Sequence, residues 1–115
     1  IMVAGSGEQK TLRIVARYAD SCNVQSKSPE DVKRLFDILK QHCEAEGTSY
    51  DAIERTVVMR FDPGSNGERA DALVETLGQF ADVGVQATLG SLTGCEDPMV
   101  MEAMGRLVIP QVSEM

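Results

Sequence analysis

The residues with most chemistry in their arrangement are Gly5-Ser6-Gly7 and Thr11. They follow the small apolar run Ile1 to Ala4, with the polar stretch Glu8-Gln9-Lys10 between them. A strand, a glycine turn and a helix in that order aim unpaired backbone N–H groups and a positive helix end at whatever anion sits above the turn. Glycine has no Cβ and tolerates positive φ, so the backbone can approach a ligand closely. Ser6 and Thr11 add hydroxyl donors for a phosphate. The same glycines can also do no more than turn the chain, and spacing alone leaves both uses open.

Chemistry elsewhere is sparse. His42 has no Asp, Cys or Ser at a motif spacing and reads as a solvated or boundary side chain. Cys43 falls on an apolar helical stripe and reads as core. Cys22, on a short strand, either faces a pocket or packs inward. Arg60 either points into the mouth of a sheet, where it needs an anion, or turns to solvent. Asp62 and Asn66 lack the residue order of a calcium loop. No catalytic acid or base is assigned, and no metal site.

The totals narrow the classes. At 115 residues the chain, 1–115, is one domain or part of one. A net charge of −7 repels nucleic acid and anionic membranes, so any phosphate site must be a local device of amides and dipole. With 4% aromatic residues and no Trp, a base-stacking platform is disfavoured. Cys22, Cys43 and Cys95 are scattered without a CxxC, which predicts reduced thiols in a cytoplasmic protein. No apolar run approaches the length of a membrane span. The start inside an apparent strand suggests a cut end and not a natural beginning.

These side chains are positioned by alternating elements. Leu12, Val15, Ala16 and Ala19 mark one helix face after the glycine turn. A short strand is predicted at Ser21 to Val24, and Val24 to Lys27 passes into a polar loop. Ser28-Pro29-Glu30-Asp31 is a capped helix start, followed by the stripe Val32, Leu35, Phe36, Leu39, Cys43 and a stop at Gly47. Tyr50 and Ile53 anchor a connector to the strand Thr56 to Phe61. A loop over 62–67 leads to a helix carrying Ala70, Leu73, Val74, Leu77 and Ala81, with Gly84 as its stop. A strand at Val85 to Leu89, a loop at Gly90 to Gly94, and a last helix from Asp97-Pro98 complete the chain. That helix carries Val100, Met101, Met104, Leu107 and Val108 and is closed by Pro110; Met99, Met101 and Met104 read as core filler. The order β-α-β-α-β-α-β-α predicts a parallel sheet with right-handed crossovers.

The runs GSGEQKTLRIVARYADSCNV and HCEAEGTSYDAIERTVV, then ADVGV and LVIP, resemble the luciferase-like flavin- and coenzyme F420-dependent oxidoreductases. The resemblance runs the length of the chain, is most specific in the first 23 residues and is softer after Gly67. It implies an α/β fold, the C-terminal half of a (β/α)8 TIM barrel with four βα units, since a whole barrel needs about 250 residues. It also implies that Gly5, Ser6, Gly7 and Glu8 form the cofactor-phosphate turn, with Thr11 as a hydroxyl donor. Cys22 and Asn23 match a strand end where the family usually has Trp-Asn, a change that alters the ring pocket. The cofactor implied is F420 or FMN, with a small-molecule substrate and hydride transfer or monooxygenation in the intact enzyme. The fragment itself is expected to be inactive. A half-barrel has two open parallel edges and a bare inner face, so a homodimer that rebuilds eight strands is expected. The competing expectation is a non-catalytic, self-associating module that keeps anion binding.

Overall fold

A computed structural model describes residues 1–25 and 28–114. Four parallel strands form one sheet in sequence order: β1 (Met2–Ala4), β2 (Ser21–Gln25), β3 (Glu54–Phe61) and β4 (Ala87–Leu92). Between them run α1 (Thr11–Tyr18), α2 (Pro29–Glu46) and α3 (Ala70–Asp82), and α4 (Pro98–Ala103) and α5 (Ile109–Val112) follow. The fold class is the one the sequence predicts: α/β, with four parallel strands and alternating helices.

Side-chain alternation separates the two sheet faces. Val3, Cys22, Val24, Val57 and Met59 pack toward the helices, among Leu12, Val15, Leu35, Phe36, Leu39 and Phe80. A second cluster holds Ala70, Leu73, Leu77 and Val108, and Met59 touches both. The opposite parity, including Asn23, Gln25, Thr56, Val58, Arg60 and Leu89, forms the inner face. Of these, Leu89 is 43% exposed, as is Met2 at 47% on β1.

The longest helix, α2, is bounded as its sequence dictates. Ser28 Oγ accepts the Asp31 N–H at 3.1 Å, Pro29 occupies the first turn, and Gly47 ends the helix at φ 73°. Ile53 is buried and Tyr50 packs beside it, with the Arg55 guanidinium 4.4 Å from the Tyr50 ring centre.

Several boundaries move. β2 includes Val24, as predicted, and extends to Gln25, expected in a loop: Val24 is wholly buried and both residues pair with β3; Ser26 and Lys27 lie outside the described residues. β4 runs Ala87–Leu92 and not Val85 to Leu89, so Gly90 belongs to the strand. Its glycine marks close approach: a Cβ there would meet Met59 O at 1.6 Å. Pro110 does not close the last helix. A wide turn at Met104–Val108, in which the Ile109 N–H bonds Met104 O, carries the chain into α5, where Pro110 sits in the first turn and needs no donor. Met99 and Met101, expected in the core, are 57% and 54% exposed, because Val100 and Ala103 take the inward positions of α4. Phe80 replaces Ala81 as the last fully buried residue of α3.

Candidate functional site

The turn from Gly5 to Lys10 leaves the carboxyl end of β1, the edge at which parallel α/β folds hold ligands. Gly5 adopts φ 128°, a conformation open to glycine, and its N–H extends the ladder to Asn23 O at 3.0 Å. Ser6 continues it by side chain: Oγ accepts the Gln25 N–H at 3.0 Å and donates to Gln25 O at 3.2 Å. The Ser6 hydroxyl is therefore tied to β2 in this structure. The Leu12 N–H returns to Gly7 O at 2.9 Å and closes the turn. Among the described residues, the N–H groups of Ser6, Gly7 and Glu8 meet no protein acceptor.

Gly7 lies in close contact with Thr11. A Cβ would stand 2.8 Å from Thr11 Oγ1, so the threonine side chain lies over the glycine where any larger residue would displace it. The Thr11 hydroxyl has no protein partner among the described residues. The helix start itself carries no side-chain cap and no acid in its first turn.

Glu8 turns away, toward α2. Its carboxylate pairs with Arg34 Nη1, while Arg34 Nη2 bonds Asp31 Oδ1 at 2.7 Å. Hydrogen bonds to Glu8 first, then Asp31, raise the Arg34 pKa. Eight residues along the same helix, His42 Nε2 lies 2.7 Å from Glu8 O and donates to it. Sequence reasoning left His42 without a role; its signal lies in a contact 34 residues distant, which no local spacing reveals.

Cys22 and Asn23 part company. Cys22 is 0% exposed on the helix-side face, and burial raises its thiol pKa. Strand alternation places Cys22, like Val24, in the core on the helix side of the sheet and not on its inner face. Asn23 faces the other way, with Oδ1 3.1 Å from Thr56 Oγ1, a hydroxyl that also lies 2.7 Å from Cys22 O. Arg60 reaches the exposed inner face at the carboxyl half of β3, opposite Ser91, and no carboxylate among the described residues pairs with it. The structure thus gathers Gly5, Ser6, Gly7, Glu8, Thr11 and Asn23 at one corner of the sheet, and separates Cys22 from them.

This is an α/β half-barrel in which, among the described residues, the backbone donors beyond the carboxyl end of β1 stay open. No protein-family model matches the chain, and no curated protein matches it in sequence. Solved structures do match in fold. An F420-dependent secondary alcohol dehydrogenase in complex with an F420–acetone adduct superposes with TM-score 0.77 at 11% identity, covering 96% of this chain and 48% of that one. The coenzyme F420-dependent tetrahydromethanopterin reductase from Methanopyrus kandleri matches with TM-score 0.77 at 14% identity, covering 96% and 50%. DmoA from Hyphomicrobium sulfonivorans gives TM-score 0.67 at 13% identity, covering 99% and 41%. The chain spans about half the length of these proteins. Its fold is thus the one the sequence resemblance implies, shared with F420-dependent oxidoreductases.

Proposed function

We propose that residues 1–115 form the cofactor-phosphate-binding half of an F420- or FMN-dependent oxidoreductase. The observation that carries this reading is the Gly5–Glu8 turn, with its open N–H groups, in a half-barrel of the F420-dependent type. The residues fit the phosphate end of such a group. Gly5 and Gly7 leave room for close approach, the amides offer donors, and Arg34 neutralises the nearest carboxylate. Bound there, the cofactor would supply the hydride chemistry, while this chain's residues hold and orient its phosphate. Asn23 and Thr11 flank the turn and extend the polar surface that meets the cofactor. The substrate wall and the catalytic groups belong to the other half of the barrel.

Fluorescence titration of the chain with FMN and with riboflavin tests the reading, because the two share a ring and differ by the phosphate. FMN should bind with riboflavin at least tenfold weaker, about 1.4 kcal/mol; F420 should compete with FMN. Equal affinity for FMN and riboflavin would remove the phosphate site.

A second reading, a self-associating half-barrel, draws on Met2 and Leu89. Both are large apolar residues left open on the inner face.

A further inference from the structure

We infer that Arg34 and His42 form a two-point clamp from α2 that sets the Gly5–Glu8 turn for an anion. This inference rests on the phosphate reading of that turn and assigns two positioning residues to it.

The clamp grips one residue by two chemically different handles. Arg34 holds the Glu8 carboxylate, and His42 holds the Glu8 carbonyl oxygen at 2.7 Å. Each grip has its own consequence. A carboxylate at the edge of an anion site repels the anion; Arg34 cancels that charge and keeps it on the α2 side. The guanidinium is itself braced, by Asp31 Oδ1 at 2.7 Å from Nη2 and 3.2 Å from Nε, so the bridge has a fixed base. The carbonyl grip works through peptide geometry. In a planar trans peptide the C=O of Glu8 and the N–H of Gln9 point in opposite directions, so fixing one fixes the other. His42 therefore aims the Gln9 N–H away from α2 and limits rotation of the turn's last peptide.

α2 suits the task because it is the most firmly bounded element. It is capped by Ser28, ended by Gly47, and seated on Val32, Leu35, Phe36, Leu39 and Cys43. By contrast, α1 begins without a side-chain cap, so the turn before it takes its order from its neighbour.

The test uses the whole chain as wild type, Arg34→Gln, Arg34→Gln with Glu8→Gln, His42→Ala and His42→Gln, with a melting curve for each. Nitrogen-15 relaxation reads the order of residues 6–9, and FMN titration reads affinity. The clamp predicts that order parameters at residues 6–9 fall toward about 0.6 in Arg34→Gln and in His42→Ala, with the rest of the chain unchanged. Affinity for FMN drops about tenfold in Arg34→Gln and recovers when Glu8→Gln is added, since the uncovered charge is then gone. His42→Gln, whose amide still donates, stays near wild type. Should Arg34→Gln not fold, Arg34→Lys keeps the charge without the two-sided fork and takes its place in the relaxation measurement. Unchanged order in both single variants, or an affinity loss that Glu8→Gln does not recover, overturns the clamp. If order responds as stated while even the wild type binds no FMN, the clamp stands and the phosphate reading falls.

Discussion

Gly5 and Gly7 serve the turn for different reasons, and substitution separates them. Gly5 carries the positive φ, so any side chain strains the backbone; Gly7 carries the close approach to Thr11. Gly5→Val and Gly7→Val should each abolish FMN binding while the chain still melts cooperatively, because neither residue belongs to the core. Retained affinity in either variant would detach the turn from the cofactor. The thiols make a second residue-scale prediction. Cys22 and Cys43 are buried and Cys95 is exposed, so an aromatic disulfide reagent should find one fast thiol per native chain and three after denaturation. Two fast thiols would place Cys22 or Cys43 at the surface.

At the scale of elements, α2 and the loop before α3 carry distinct predictions. Ser28→Ala removes the acceptor for the Asp31 N–H and should cost about 1 kcal/mol, lowering the melting temperature by roughly 4 to 6 °C. In the loop, the Arg69 guanidinium and the Gly64 N–H hold the Asp62 pKa below its usual value. Hydrogen bonds from its own amide and that of Asn66 do the same for Glu68. Depressed folded pKa values mean that this stabilisation is present above the ordinary carboxylate range and is lost as pH falls through the folded values. Melting temperatures measured from neutral pH down to about pH 3 should therefore decline less in Asp62→Asn than in wild type. An identical acid limb in both would show that the Asp62–Arg69 pair contributes nothing.

Element order and helix faces were legible in the sequence because cap, stripe and stop agreed at α2, and because the stripe Leu12, Val15, Ala16 is local. Boundaries failed where long-range contacts decide. Gly90 has the composition of a loop, yet it is a strand residue because β3 passes too close for a Cβ. Met101 lies on the predicted stripe, but the last helical segment seats Val100 and Ala103 instead. The glycine turn was visible in the sequence; its anchoring by Ser6 to β2 and by Arg34 and His42 to α2 was not, since those contacts span 19 to 34 residues.

On the scale of the whole molecule, the chain is a thin shell. Its radius of gyration is 15.4 Å, against about 13 Å for a compact domain of this length. The extents of 48 × 24 × 20 Å fit a sheet with helices on one face and an open inner surface on the other. Such a surface, with the outer edges of β1 and β4 facing no further strand among the described residues, is expected to favour self-association when the 115-residue chain stands alone. Light scattering at micromolar concentration should give twice the 12.5 kDa chain mass; a monomer that melts cooperatively would contradict this. No helix among the described residues is long and apolar enough to cross a membrane.

The most direct test of the central claim follows the amides themselves. With nitrogen-15-labelled chain titrated by FMN and, separately, by riboflavin, the Ser6, Gly7 and Glu8 N–H signals should move downfield and saturate with FMN alone. Movement confined to other residues, or equal movement with riboflavin, would contradict the assignment of this turn as the phosphate site.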